Sequence, residues 1–295
     1  MKYLILILII CTIGCKPKAS SHPQPSHTKA TNHDTNSDDI DSIAVFSEEN
    51  LEMHQEKTKA IKRKKLITAP DDKAQLQDLV INKKLYKAED YYILDYTYPY
   101  LNEDINKGYA VFNTYISETY LNIEATENEI MEDKVIFCDS MQIARCMDKR
   151  LIDYKIYNAK NDLVSVVIYK ENYYSGMKHS TYMFECLNYE MDTHQFIYYN
   201  DFFDLGSEKE LLSILNDEIK AAIHSGEMYY DCWEISESDF NAYKNNFVIN
   251  DETITYYFDD CIICPSYTGT YSIQIPITTV MHLIRNYKDI PMIGN

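Results

Sequence analysis

The sequence predicts an α+β fold in which two helices pack on mainly antiparallel sheet, with two related modules forming one compact unit. Two observations lead there. About eight segments alternate apolar and polar residues at period two, the spacing of a half-buried strand. Only two stretches repeat apolar residues at the three- and four-residue spacing of an amphipathic helix. Strands in runs with few helices, and no internal repeat of fixed period, fit helices laid on antiparallel sheet.

Strands are expected from about Leu85. Within Tyr86–Leu101, Tyr92, Leu94, Tyr96 and Tyr98 fall on one face. A helix follows, with Asn102 as its cap, Glu103 and Asp104 in its first turn, and a stripe of Ile105, Tyr109, Phe112, Ile116 and Tyr120. Leu151–Tyr157 reads as a strand, 158–162 as a turn, and Leu163–Tyr169 as a central strand. Thr181–Tyr189 and Gln195–Tyr199 add two more, joined through Met191-Asp192-Thr193. The second helix opens at Ser207, where Glu210 three residues on completes a capping-box pattern. Leu211, Leu215, Ile219, Ala222 and Ile223 form its buried stripe, and Gly226 ends it. Strands at Phe247–Ile249, Thr253–Phe258 and Thr270–Ile277 close the fold.

Residues ahead of Leu85 have a different character. Met1–Gly14 carries Lys2 and then an unbroken apolar run, Leu4–Ile10. That run is shorter than the roughly 20 residues needed to span a bilayer, so 1–14 reads as a signal peptide. It ends Thr12-Ile13-Gly14-Cys15, which resembles a bacterial lipobox and makes Cys15 the expected site of lipidation. Residues 15–46 then form a tether: Lys16–Asp39 holds no apolar residue larger than alanine and cannot offset chain entropy by burial. His22, His27 and His33 lie in it without any geometry that would preform a metal site. A helical spacer is expected over 47–84, capped at Ser47. Its basic run from Lys57 to Lys65 fits either a solvated face or anionic headgroups near the anchor. The expected location is thus the cell envelope, on the outer membrane or the outer face of the plasma membrane.

Composition excludes several functions. Seven glycines occur in 295 residues, and the nearest two are 20 apart. Dinucleotide fingerprints, P-loops and nucleophile elbows need paired glycines within about six residues. Net charge is −18, against the basic surface that nucleic-acid binding requires. The acid is concentrated: 89–148 carries 13 acidic and 3 basic residues, and 201–260 carries 15 and 3. Two such blocks favour a cationic partner, a divalent ion, or solubility alone.

Six cysteines remain beyond Cys11 and Cys15: Cys138, Cys146, Cys186, Cys232, Cys261 and Cys264. In an exported chain they are disulfide candidates with 15 possible connectivities, of which Cys138 with Cys146 is the most local pair. Cys261 and Cys264 stand in C-x-x-C spacing but after a strand, not at the helix N-terminus that lowers a redox thiol's pKa. A zinc site would need a second close pair, so no metal and no cofactor is expected.

The stretch from Phe247 to Val280, with its F-V-I strand, alternating aromatic strand, loop containing Ile263, Pro265 and Gly269, and Ile275-Pro276 strand, resembles the C-terminal domain of RsiV-type anti-sigma factors, whose ectodomain senses lysozyme. Asp201-Phe202-Phe203-Asp204-Leu205 resembles the entry to the same domain. Tyr91–Leu101 with the helix after it resembles the N-terminal module of PdaC-type peptidoglycan deacetylases. The resemblance implies an ectodomain of two modules, 85–200 and 201–289, with a tail at 290–295. Phe258-Asp259-Asp260 resembles the deacetylase motif, but Cys261 replaces its glycine and no two histidines have i, i+4 spacing.

The resulting expectation is a non-catalytic, lipid-anchored binding protein for a cationic protein or cell-wall glycan. Its candidate surface is Asp259, Asp260, Tyr256, Tyr257 and Tyr267 in and beside the loop 259–269, together with the Tyr86–Tyr100 strand. The alternative is an envelope glycan hydrolase with paired carboxylates drawn from Asp259, Asp260 and Glu252.

Overall fold

A computed structural model describes residues 78–285, apart from 140–145, 161, 176 and 178. The expected signal segment, Cys15 and its tether, the spacer as far as residue 77, and the tail lie outside the described residues. The expected α+β fold is present: a six-stranded and a three-stranded sheet with helices on their outer faces.

Strands begin at Val80, so residues 80–84 belong to a strand and not to a helical spacer. β1 (Val80–Ala88) and β2 (Tyr92–Leu101) form a hairpin, Val80 opposite Leu101. The chain then crosses over through two helices, α1 (Ala110–Tyr120) and α2 (Ile123–Asp133), and re-enters the sheet parallel to β2. α1 starts later than expected. Asn106, not Asn102, accepts from Gly108 N–H at 2.9 Å and opens a short 3₁₀ turn, leaving Ile105 exposed. Tyr109, Phe112, Ile116 and Tyr120 are buried as the spacing predicts. Asn113 locks α1 to the end of β2: its side chain accepts from Leu101 N–H and donates to Leu101 C=O, both at 2.8 Å.

β3 (Asp148–Lys160), β4 (Leu163–Tyr173), β5 (Thr181–Glu190) and β6 (Gln195–Phe196) continue antiparallel in sequence order. Residues 158–160, expected in a turn, extend β3 past a bulge between Ile156 and Asn158. β4 is the central strand that its apolar run predicts. Val164, Val166 and Ile168 pack in the same core as α1 and α2, while Val167 and Tyr169 pack with the second sheet.

The second sheet contains β7 (Phe247–Ile249), β8 (Thr253–Tyr257) and β9 (Ser272–Pro276), all antiparallel. A short α3 (Tyr199–Phe202), α4 (Glu208–Ser225) and α5 (Glu237–Tyr243) precede it, and α6 (Ile277–Val280) follows. α4 buries Leu211, Leu215 and Ile219 in one core with Ile249, Ile254, Tyr256 and Ile275 of the small sheet. Gly226 ends it at φ 81°, a left-handed conformation that glycine adopts without strain. The Ser207 cap differs from expectation: its hydroxyl meets the Tyr199 hydroxyl at 2.7 Å and donates to Asp204 C=O, and does not cap the helix.

Polar groups join the two sheets. Asn246 accepts from Cys186 N–H at 2.7 Å, Asn188 donates to Phe247 C=O at 2.8 Å, and Ile249 N–H donates to the Ser165 hydroxyl at 2.8 Å. The layers are therefore helix, large sheet, small sheet, helix.

Cys138 bonds to Cys146, and Cys232 bonds to Cys264. Cys186, a disulfide candidate by sequence, is a free buried thiol on β5 whose side chain lies in the core between the sheets. Burial pushes its pKa well up.

Candidate functional site

Two loops at one end of the small sheet are held together as a unit. The first, 226–236, runs from the end of α4 to α5. The second, 258–271, connects β8 to β9 and contains most of the residues expected at the site. The Cys232–Cys264 disulfide joins them across a sequence separation of 32. Trp233 adds two bonds, its backbone N–H to Ile263 C=O at 2.9 Å and its indole N–H to Ile262 C=O at 2.8 Å. Asn216 of α4 fixes the far end by accepting from Ile235 N–H at 2.7 Å and donating to Ile235 C=O at 3.0 Å.

The second loop is shaped by its own polar residues. Asp259 accepts from Phe184 N–H at 2.8 Å and from the Tyr243 hydroxyl at 3.0 Å, tying β8's end to β5 and α5. Burial raises its carboxyl pKa above the usual value, and those two donors oppose the rise. Asp260 accepts from the Ser266 hydroxyl at 2.8 Å, while its N–H donates to Tyr182 C=O. Residues Ser266–Thr268 form a 3₁₀ turn that Gly269 ends at φ 60°.

Three tyrosines stand out from this frame. Tyr229 and Tyr267, one from each loop, meet edge to face at 6.2 Å, and both are exposed. Tyr230 is the most exposed of the three, at 88%. Segments 226–236 and 259–269 together contain Glu227, Asp231, Glu234, Asp259 and Asp260 and no Lys or Arg. Exposed aromatic rings on an acidic, cross-braced loop pair make a surface suited to binding another molecule.

The structure separates the residues expected at this site. Asp259, Asp260 and Tyr267 lie on the loop as expected. Tyr256 and Tyr257 do not contribute surface: β8 is covered on both sides, so Tyr256 packs toward α4 and Tyr257 toward β4 and β5. On the outer hairpin, Tyr86 and Tyr91 are exposed while Tyr92 and Tyr96 are core residues. Tyr229, Tyr230 and Trp233 were not anticipated. Their one sequence signal is a Tyr-Tyr pair directly after the helix-ending Gly226, outside any strand alternation. Among the described residues no group of His, Cys, Asp or Glu side chains has the geometry to hold a metal. No helix among them is long and apolar enough to cross a membrane.

Comparison with known proteins places these loops in a family context. Residues 200–278, which include both loops, match the model of a family described as "Protein of unknown function (DUF3298)". A solved structure of a DUF3298 family member from Bacteroides fragilis NCTC 9343 is similar over 73% of this chain and 96% of its own, at TM-score 0.56 and 16% identity. A DUF3298 family protein from Pseudomonas aeruginosa PAO1 is similar over 72% and 97%, at TM-score 0.49 and 14% identity. The first of these shows a shared fold. No curated protein matches the chain.

Proposed function

We propose that this chain is a non-catalytic envelope protein, anchored by lipid at Cys15, that captures a cationic protein on the loops 226–236 and 259–269. The observation carrying this reading is the exposed trio Tyr229, Tyr230 and Tyr267 on loops that hold five acidic residues and no basic one, of which Asp259 is turned inward and Glu234 is paired with Lys220 of α4 at 3.2 Å. Tyrosines supply contact area at little entropic cost, and the acidic surroundings draw in and orient a basic partner. Bracing by Cys232–Cys264 and Trp233 reduces the ordering cost of binding. Two disulfides among the described residues suit an oxidising compartment, in line with the signal segment and the lipobox-like Cys15. The resemblance of the C-terminal part to lysozyme-sensing ectodomains supports the same class of partner. The roles of Asp259 in holding Phe184 and Tyr243 favour a structural carboxylate over a hydrolytic one.

Binding of hen lysozyme, used as a basic probe, should be measured by surface plasmon resonance over a salt series. Expected are saturable binding that weakens as salt rises and a loss of about tenfold in affinity in Tyr230→Ala. No binding at low ionic strength, or binding by Tyr230→Ala and Tyr267→Ala as tight as that of the unchanged protein, overturns the proposal.

A further inference from the structure

The large sheet brings part of the N-terminal module to the same end of the molecule as the two loops. β2 and β3 start there, β4 finishes there, and β5 starts there. Asp260 N–H donates to Tyr182 C=O at 3.0 Å, which seats the 258–271 loop on the start of β5. Ser175, between β4 and β5, donates its N–H and its hydroxyl to Asp148 at 2.7 and 2.6 Å. Asp148 N–H in turn donates to Tyr91 C=O at 2.9 Å. The Lys134 ammonium lies 4.5 Å from the centre of the Tyr91 ring, which brings the end of α2 alongside. Neighbouring strands are about 4.8 Å apart, so the start of β2 stands about 15 Å from the start of β5.

This end carries an exposed apolar cluster. Beyond α2 the chain continues as a π-helical turn, Lys134–Asp139, pinned by the Cys138–Cys146 disulfide. Val135 and Ile136 on that turn are each 58% exposed. Met131, four residues before Val135, is exposed on the same side, as are Tyr91 beside Lys134 and Met177 two residues after Ser175. With Tyr229, Tyr230 and Tyr267 these make eight of the thirteen exposed large apolar side chains among the described residues. Scattered singly, such residues would call for no explanation; gathered at one end, they mark a contact surface.

Charge and area identify the occupant. Glu89, Asp90, Glu129 and Glu132 are exposed around the cluster, whereas Lys87 is bound to Glu127 and Arg150 is buried against Asp148. Lys149 is the exposed base there among the described residues. The rim is therefore acidic and suits a basic molecule. The loops also need help: Asp259 is turned inward and Glu234 is paired, so they offer less charge than their composition suggests. Three tyrosines of about 150–250 Å² each, two already half covered, fall short of the roughly 800 Å² that each side of a stable complex buries. We propose that the binding surface is composite: a cationic protein held on the loops 226–236 and 259–269 also lays an apolar segment on Met131, Val135 and Ile136, beside Tyr91 and Met177. This inference rests on the reading of the loops as a partner site and extends that site into the N-terminal module. Cys138–Cys146 then braces one half of the surface and Cys232–Cys264 the other.

The test introduces Met131→Ser with Ile136→Ser into the full chain and measures hen lysozyme binding by surface plasmon resonance. Expected is a loss of about fivefold or more in affinity, mainly through faster dissociation, with an unchanged circular dichroism spectrum. A photo-crosslinking benzoylphenylalanine in place of Ile136 should capture lysozyme. The same probe in place of Ile105, exposed just beyond the opposite end of β2, should not. Unchanged affinity in the double variant, while Tyr230→Ala still loses binding, overturns the composite surface and leaves the loop site standing. No lysozyme binding by the unchanged protein overturns both. Equal capture at Ile105 overturns the placement. Dimers in sedimentation velocity that Ile136→Ser dissolves would assign the cluster to a second copy, and crosslinking from position 136 to residues 57–65 would assign it to this chain's own basic run; either result overturns the proposal.

Discussion

The hydroxyls of Tyr157 and Tyr257 meet at 2.5 Å, one from the large sheet and one from the small sheet, a hundred residues apart in sequence. Their rings are 6.2 Å apart and near perpendicular. Burial is the largest influence on both phenols: it raises Tyr157 to about 12 and pushes Tyr257 well above its ordinary value. Each hydroxyl is thus a partner of the other, on a half-buried ring at Tyr157 and a buried one at Tyr257. Tyr257→Phe should destabilise the protein by about 1–3 kcal/mol in urea unfolding, because the Tyr157 hydroxyl loses its partner. The double change to phenylalanine should cost less than the sum of the single changes, and a double-mutant cycle measures that coupling.

Asp259 gives the fold a pH dependence of a definite sign. Its pKa in the folded state lies above the ordinary carboxyl value of 3.8, chiefly through burial. Between the unfolded and folded values the native state holds more protons, so this residue's contribution to stability falls as pH rises through that window. Asp259→Asn keeps an acceptor for Phe184 N–H and carries no charge. Its stability relative to the parent should therefore improve as pH rises from about 3 to 6, read from thermal midpoints at each pH.

The Cys232–Cys264 bridge closes a segment of 32 residues that includes α5 and all of β7 and β8. On chain-entropy grounds its loss costs about 3–4 kcal/mol. Cys232→Ser with Cys264→Ser should lower stability by that order and open the 226–236 loop to proteolysis near Tyr230. Peptide mapping of limited digests checks the second effect separately from the first.

Gly108 sits against the ring of His194. A Cβ built there would run into the imidazole ring of His194. Gly108→Ala should destabilise the protein by about 1–3 kcal/mol, the usual cost of an overpacked contact. His194 adopts φ 57° in the turn between β5 and β6. His194→Gly should suit that backbone and restore stability to the Gly108→Ala protein, as calorimetry would show.

What the sequence reveals depends on how many sides of an element are covered. The α4 stripe was legible because only one face is buried, and Gly226 marked its end. β4 was legible as a central strand because its apolar run is unbroken. α2 was not, since its only buried residue is Ile130 and the rest is mostly acidic or small. Tyr256 and Tyr257 show the same limit at the candidate site. Alternation suggests that one of two neighbouring strand residues meets solvent, but β8 is sandwiched between a helix and a second sheet, and both are buried. Tyr229 and Tyr230 stand in a loop, where periodicity carries no information.

The segment matched by the family model begins at residue 200, yet the covering of its sheet does not. One face of β7 and β8 is closed by β4 and β5, where Phe184 stacks on Tyr257 at 5.2 Å. A protein cut at residue 199 would expose Val248 and Tyr257 on one fragment and Val167, Tyr169 and Phe184 on the other. Neither fragment would inherit a finished surface. The smallest piece of this chain that can be expressed as a soluble domain should therefore reach back to β4 and its neighbours, well upstream of where sequence similarity starts.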